Sequence, residues 1–222
     1  AIPLQLVTHG QVHEKVIGLT AKQEGFVFTV TEQPVSFSVD RDSRLFRMLD
    51  PAELPATVND LRASKNPLVV VASGSEALID ASRDLLRGLQ WHQATVVGES
   101  AYLASPSPGM DILFIGWPQS ETFRPDLPPE VMASEQKFAV DGKLNDDNRD
   151  VLFMVGKMDH DDQVVAYFLP GSVAAARDTA RRIPHYGRYS YLAFRDGQNL
   201  VKATWEPDNS PLQRLFYKDE MR

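Results

Sequence analysis

The chain has 222 residues, 43% of them hydrophobic and 24% charged, which is enough length and an ordinary enough composition for one large domain or two small ones with a genuine core. A net charge of -7 and a pI near 5.2 argue against a nucleic-acid partner, which requires a basic face, and leave room only for a local basic patch. Cysteine is absent, which excludes disulfides and thiolate metal sites, and no apolar run approaches the roughly 20 residues of a membrane helix, so no membrane insertion by this chain is expected.

In chain order, residues 1–50 read as a small antiparallel β unit. Residues 4–7 alternate, Thr8-His9-Gly10-Gln11 supplies turn chemistry, and residues 12–19, 25–30 and 34–39 follow as further strands. Asp40-Arg41-Asp42-Ser43 closes the unit, and Leu45, Phe46, Met48 and Leu49 begin a short helical patch that Pro51 and Pro55 interrupt. Residues 51–66 read as a linker with a short helix inside it. The chain opens on Ala1 and enters strand-like sequence at once, which is read as a processed product or an excised fragment, with routine removal of an initiator Met before Ala as an equally physical alternative.

From residue 67 to 222 the pattern is that of an α/β domain. Leu68-Val69-Val70-Val71-Ala72 is a continuous apolar run, as in a strand covered on both faces, and Ala77, Leu78, Ala81, Leu85, Leu86 and Leu89 mark one amphipathic helix. Residues 94–98 and 111–117 are the next strands, and this order predicts a doubly wound, mixed sheet. Residues 118–129 hold four prolines and read as an irregular loop or lid. Strands are expected at 137–141, 151–157 and 164–169, the last two joined by a polar tip. A helix over 173–183 has Ser172 as its N-cap, and a final hairpin over 189–194 and 200–205 turns at Asp196-Gly197.

The candidate chemistry is weighed residue by residue. His9, His13 and Glu14 hint at a zinc peptidase, but His-Glu-x-x-His requires two imidazoles on one helical face, and here the second ligand position is Ile17 on a strand-like stretch. Asp159, His160, Asp161 and Asp162, and likewise Asn145-Asp146-Asp147-Asn148, carry oxygen ligands for a divalent cation but lack the glycine and distal Glu of a calcium loop. A solvated hairpin tip is the favoured reading for the first cluster, and the second is read the same way. Ser73, Gly74 and Ser75 follow the first buried strand, where doubly wound sheets bind ligands, without a phosphate-loop or Gly-x-Ser-x-Gly signature. Arg181, Arg182, His185, Tyr186 and Arg188 are the components of a carboxylate or anion site, set against arginines that cap a helix end and tyrosines that pack on a sheet. Trp91, Trp117 and Trp205 read as core or interface. No catalytic, cofactor-binding or metal-binding residue is assigned.

Two passages carry a resemblance. Residues 34–55, with Val39-Asp40-Arg41-Asp42 followed by Leu45-Phe46-Arg47-Met48-Leu49, resemble a passage that follows the catalytic domain of bacterial gluzincin zinc aminopeptidase-like proteins. Ile183-Pro184-His185-Tyr186-Gly187-Arg188-Tyr189-Ser190-Tyr191 is similar to one further downstream in the same proteins. The resemblance implies a non-catalytic C-terminal accessory region whose partner is the preceding peptidase domain of its parent. Zinc then belongs to that domain and no cofactor to this chain, because neither His-Glu-x-x-His nor its distant Glu is present here. It also implies a periplasmic or cell-envelope location. The alternatives are an independent small-molecule or peptide binding module using the crevice near Gly74 and the 118–129 loop, and a cryptic hydrolase using Ser73 or Ser75.

Overall fold

The structure is a computed structural model that describes residues 1–72, 76–120, 131–134, 137–140, 143–145, 147–157, 163–205 and 210–216. The chain divides into two compact units, one formed by Ala1–Leu54 with Pro207–Arg222 and the other by Pro55–Glu206. Both belong to an α/β protein.

In the first unit, β1 (Ile2–Thr8) lies between β2 (Val12–Ile17) and β3 (Pro34–Val39), all antiparallel. The far edge of β3 is taken by Gln213–Leu215, whose Gln213 faces Ser38. Residues 213–215 thus belong to this sheet and not to the domain expected over 67–222. Period-two alternation buries Leu4, Leu6 and Thr8 on one side of β1. Residues 25–30 form no strand. Phe28 instead lays its ring edge-on against Phe37 at 6.1 Å, so the segment crosses the sheet face rather than extending its edge.

The second unit opens with α1 (Val58–Arg62) and continues through β4 (Pro67–Val71), α2 (Glu76–Ala81), α3 (Arg83–Gly88), β5 (Thr95–Gly98), α4 (Glu99–Ala104) and β6 (Asp111–Ile115). A three-stranded antiparallel meander follows as β7 (Val131–Ser134), β8 (Lys137–Val140) and β9 (Lys143–Asn145). Then come β10 (Asp150–Lys157), β11 (Val164–Pro170), α5 (Val173–Ala180), β12 (Tyr191–Arg195) and β13 (Gln198–Ala203). The main sheet runs β13-β12-β10-β11-β6-β4-β5, parallel from β11 through β5 and antiparallel from β13 through β11. From β4 the chain steps outward to β5 and then crosses back to β6 on the other side of β4, which is the reversal that opens a crevice at the strand carboxyl ends.

Both faces of this sheet are buried. Val69, Val71, Leu113, Ile115, Phe153 and Phe168 pack toward α1, α2, α3 and α5, while Leu68, Val70, Ile112, Phe114 and Leu152 pack with Tyr102 of α4 and with Val131 and Phe138. The expected linker over 51–66 contains core, because Val58 and Leu61 are fully buried in the first of these clusters. The single helix expected around residues 77–89 is broken at Ser82, whose hydroxyl donates to the Leu78 carbonyl at 2.8 Å. Ser172 caps α5 as expected, accepting from the Ala175 amide at 3.1 Å, but the helix ends at Ala180 and a 3-10 turn follows at Ile183–His185. Asp196 and Gly197 both adopt positive φ, 50° and 68°, as a two-residue hairpin between twisted strands requires.

Candidate functional site

The crevice is built where the parallel strands end. Val71 and Ala72 leave β4, Gly98 ends β5, Glu99, Ser100 and Leu103 come from α4, and Gln119 and Ser120 follow β6; together they line a cavity of about 510 Å³. Ser73, Gly74 and Ser75 directly follow Ala72 in sequence and lie outside the described residues. Glu99 organises the cavity. Its side chain is buried, and its two oxygens accept the backbone amides of Gln119 at 3.0 Å and Ser120 at 2.8 Å, which fixes the segment leaving β6 against the start of α4. Trp117, just upstream, packs on the core with its indole N–H buried and without a hydrogen-bond acceptor.

A second polar constellation lies in the first unit. Asp40, at φ 52°, accepts from the amides of Arg44 and Leu45 and from Arg47 Nε at 3.1 Å. Arg47 forks onto both oxygens of Glu53 at 2.7 and 2.9 Å, and Glu53 also accepts from the Asp50 amide and the Ser210 hydroxyl. The Arg47 guanidinium, then the Ser210 hydroxyl, hold the Glu53 carboxyl down at about 2, against the opposing effect of burial. This network corrects the helical patch expected at 45–49. An extended alternation turns Leu45, Arg47 and Leu49 inward and leaves Phe46 fully exposed and Met48 94% exposed.

The residues of the later passage converge on α1. Val58 and Asn59 donate their amides to the carbonyls of Tyr189 and Gly187, the Ser190 hydroxyl donates to the Ala56 carbonyl at 2.7 Å, and Arg62 donates to the Pro184 carbonyl. Gly187 does not take positive φ, and a Cβ there would meet the Asn59 side chain. Tyr186 packs on Tyr189 and Phe194, with Lys202 Nζ above both tyrosine rings. Arg181 follows α5 as its C-cap, and Arg181, His185 and Arg188 are exposed without converging, while Arg182 Nε is buried and unbonded.

His9 and His13 lie at the β1–β2 turn and on β2, as the strand reading anticipates. The 158–162 cluster and Asp146 lie outside the described residues, and among the described residues no three His, Asp or Glu side chains gather as metal ligands. Trp91 is buried and donates to the Leu61 carbonyl at 2.9 Å; Trp205 stacks on Tyr191 at 4.2 Å and donates to the Val155 carbonyl at 2.6 Å. Glu99 escaped sequence reasoning because its partners are backbone amides some twenty residues away, and nothing in Gly98-Glu99-Ser100 announces them. No helix of the described residues is long and apolar enough to cross a membrane.

Comparison of the chain with models of protein families, with curated proteins and with solved structures finds no match.

Proposed function

We propose that this chain is a non-catalytic accessory region of a bacterial, exported zinc aminopeptidase-like parent, and that its first unit docks the peptidase domain preceding it. The observation that carries this reading is the placement of Phe46 and Met48. Two large apolar side chains project fully into solvent on either side of an arginine locked by two carboxylates, so they stand on a stiff backbone rather than a loose one. Rigid, exposed apolar groups are what an interface presents. Val12, Val16, Leu19, Val27, Leu54 and Leu215 of the same unit are exposed as well, whereas the second unit contributes only Val96, Leu103 and Leu200 among the described residues. In this role packing against the catalytic domain shapes access to its cleft, and the zinc resides there. The purified chain, assayed on aminoacyl chromogenic amides with and without added zinc, gives no turnover; metal-dependent turnover by the chain alone contradicts the reading.

The cavity at the carboxyl ends of β4 and β5 favours a second reading, an independent small-molecule binding module. Its size falls in the range of about 300–1,000 Å³ usual for such sites. A thermal-shift screen separates the two, since a ligand that binds the folded state raises the midpoint with concentration.

A further inference from the structure

We infer that the crevice beside β4 and β5 is a cation site that takes the protonated amine of an aliphatic ligand on Glu99. The inference rests on the binding-module reading and deepens it by naming the ligand class. Four acidic side chains are buried among the described residues: Asp40, Glu53, Glu99 and Asp150. Asp40 and Glu53 both pair with Arg47, and Asp150 takes a two-pronged bond from Arg195 at 2.7 Å on each oxygen. Glu99 is the exception, since no cation lies against it among the described residues, and it lines the cavity at the ends of β4 and β5.

A carboxylate that is 6% exposed gives up most of its hydration, and its two amide hydrogen bonds leave further lone pairs on both oxygens. In the other three cases this chain supplies the compensating charge from within. Glu99 instead leans on two backbone amides and on the amino-terminal end of α4, partial charges that leave room for a full one in the open space it lines. The same geometry argues against a phosphate, the usual occupant of this edge in doubly wound sheets. The amides of Gln119 and Ser120, which could cradle an anion, are already spent on Glu99, and the carboxylate repels one. Val71, Ala72 and Leu103 supply an apolar wall for an alkyl portion, and Ser100 lines the same space.

The test uses the intact chain with n-butylammonium, butyrate and n-butanol as probes, followed by amide chemical shifts. Saturable binding of butylammonium that shifts Gln119 and Ser120, weakens about tenfold or more in Glu99→Gln, and exceeds that of butanol supports the site. Leu103→Trp narrows the cavity while keeping the carboxylate, so loss of binding there in a protein with an unchanged spectrum elsewhere guards against misfolding of Glu99→Gln. Equal butylammonium affinity in Glu99→Gln overturns the assignment, as does preferred butyrate binding. Butanol that binds as well as the amine, and is lost in Leu103→Trp, overturns the amine assignment but leaves a small-molecule site standing. If none of the probes shifts the cavity amides, both fall.

Discussion

Arg47 sets the local backbone of the first unit through its two carboxylate partners. Reaching Asp40 and Glu53 at once requires the extended stretch that carries Phe46 and Met48 outward, and Asp40 adds the left-handed turn in which its own carboxylate collects the Arg44 and Leu45 amides. Because the Glu53 carboxyl is lowered from 4.5 to about 2 in the folded state, its contribution to stability is present above pH 4.5 and is lost as the pH falls toward 2. A carboxyl NMR titration should therefore place Glu53 near 2 in the wild type and move it up toward the ordinary carboxylate range in Arg47→Met. An unmoved midpoint in Arg47→Met would mean that arginine is not what holds Glu53 ionised. The alternation of Leu45, Arg47 and Leu49 with Phe46 and Met48 was visible in the sequence. The spacing of its apolar residues reads instead as a helical patch, because the network that joins Arg47 to Glu53, and Glu53 to Ser210, is not a local signal.

At the scale of elements, α1 shows how a segment between two prolines becomes core. The helix has only five residues and depends on the carbonyls of Gly187 and Tyr189 for its first amides, so its stability comes from what it packs on. Leu61→Ala should lower the stability of the second unit by about 2–5 kcal/mol in chemical denaturation, the range for a fully buried leucine. A loss under about 0.5 kcal/mol is the signature of a linker and would return residues 51–66 to that description. Gly187→Ala should cost less than about 1 kcal/mol, because the methyl meets the end of the exposed Asn59 side chain, which can turn aside, and Asn59→Ala should remove that cost. The strands at 68–72, 151–157 and 164–169 and the Asp196-Gly197 hairpin were legible because continuous apolar runs and a diagnostic turn mark them. The six-residue α4 and the three-residue strand Gln213–Leu215 were not. Elements that short carry too few periods to be read, and the latter exposes all of its residues.

For the whole molecule, composition and the change of period near residue 67 were enough to read an α/β protein with a small β unit ahead of a larger mixed sheet. Strand order was not readable to the same depth, since the return of Gln213–Leu215 to β3 and the crossing from β5 to β6 are long-range pairings with no local signature. Both passages that resemble the aminopeptidase-like proteins turn out to brace the fold, one through the Arg47 network and the other by capping α1. The proposed docking role therefore rests on what the first passage leaves exposed. The direct measurement is calorimetric titration of this chain with the peptidase domain that the proposal assigns to its parent, expressed separately. The account predicts a saturable complex that Phe46→Asp combined with Met48→Asp weakens about tenfold or more while the chain stays folded. A chain that forms no complex with that domain, or a complex indifferent to the double substitution, contradicts it.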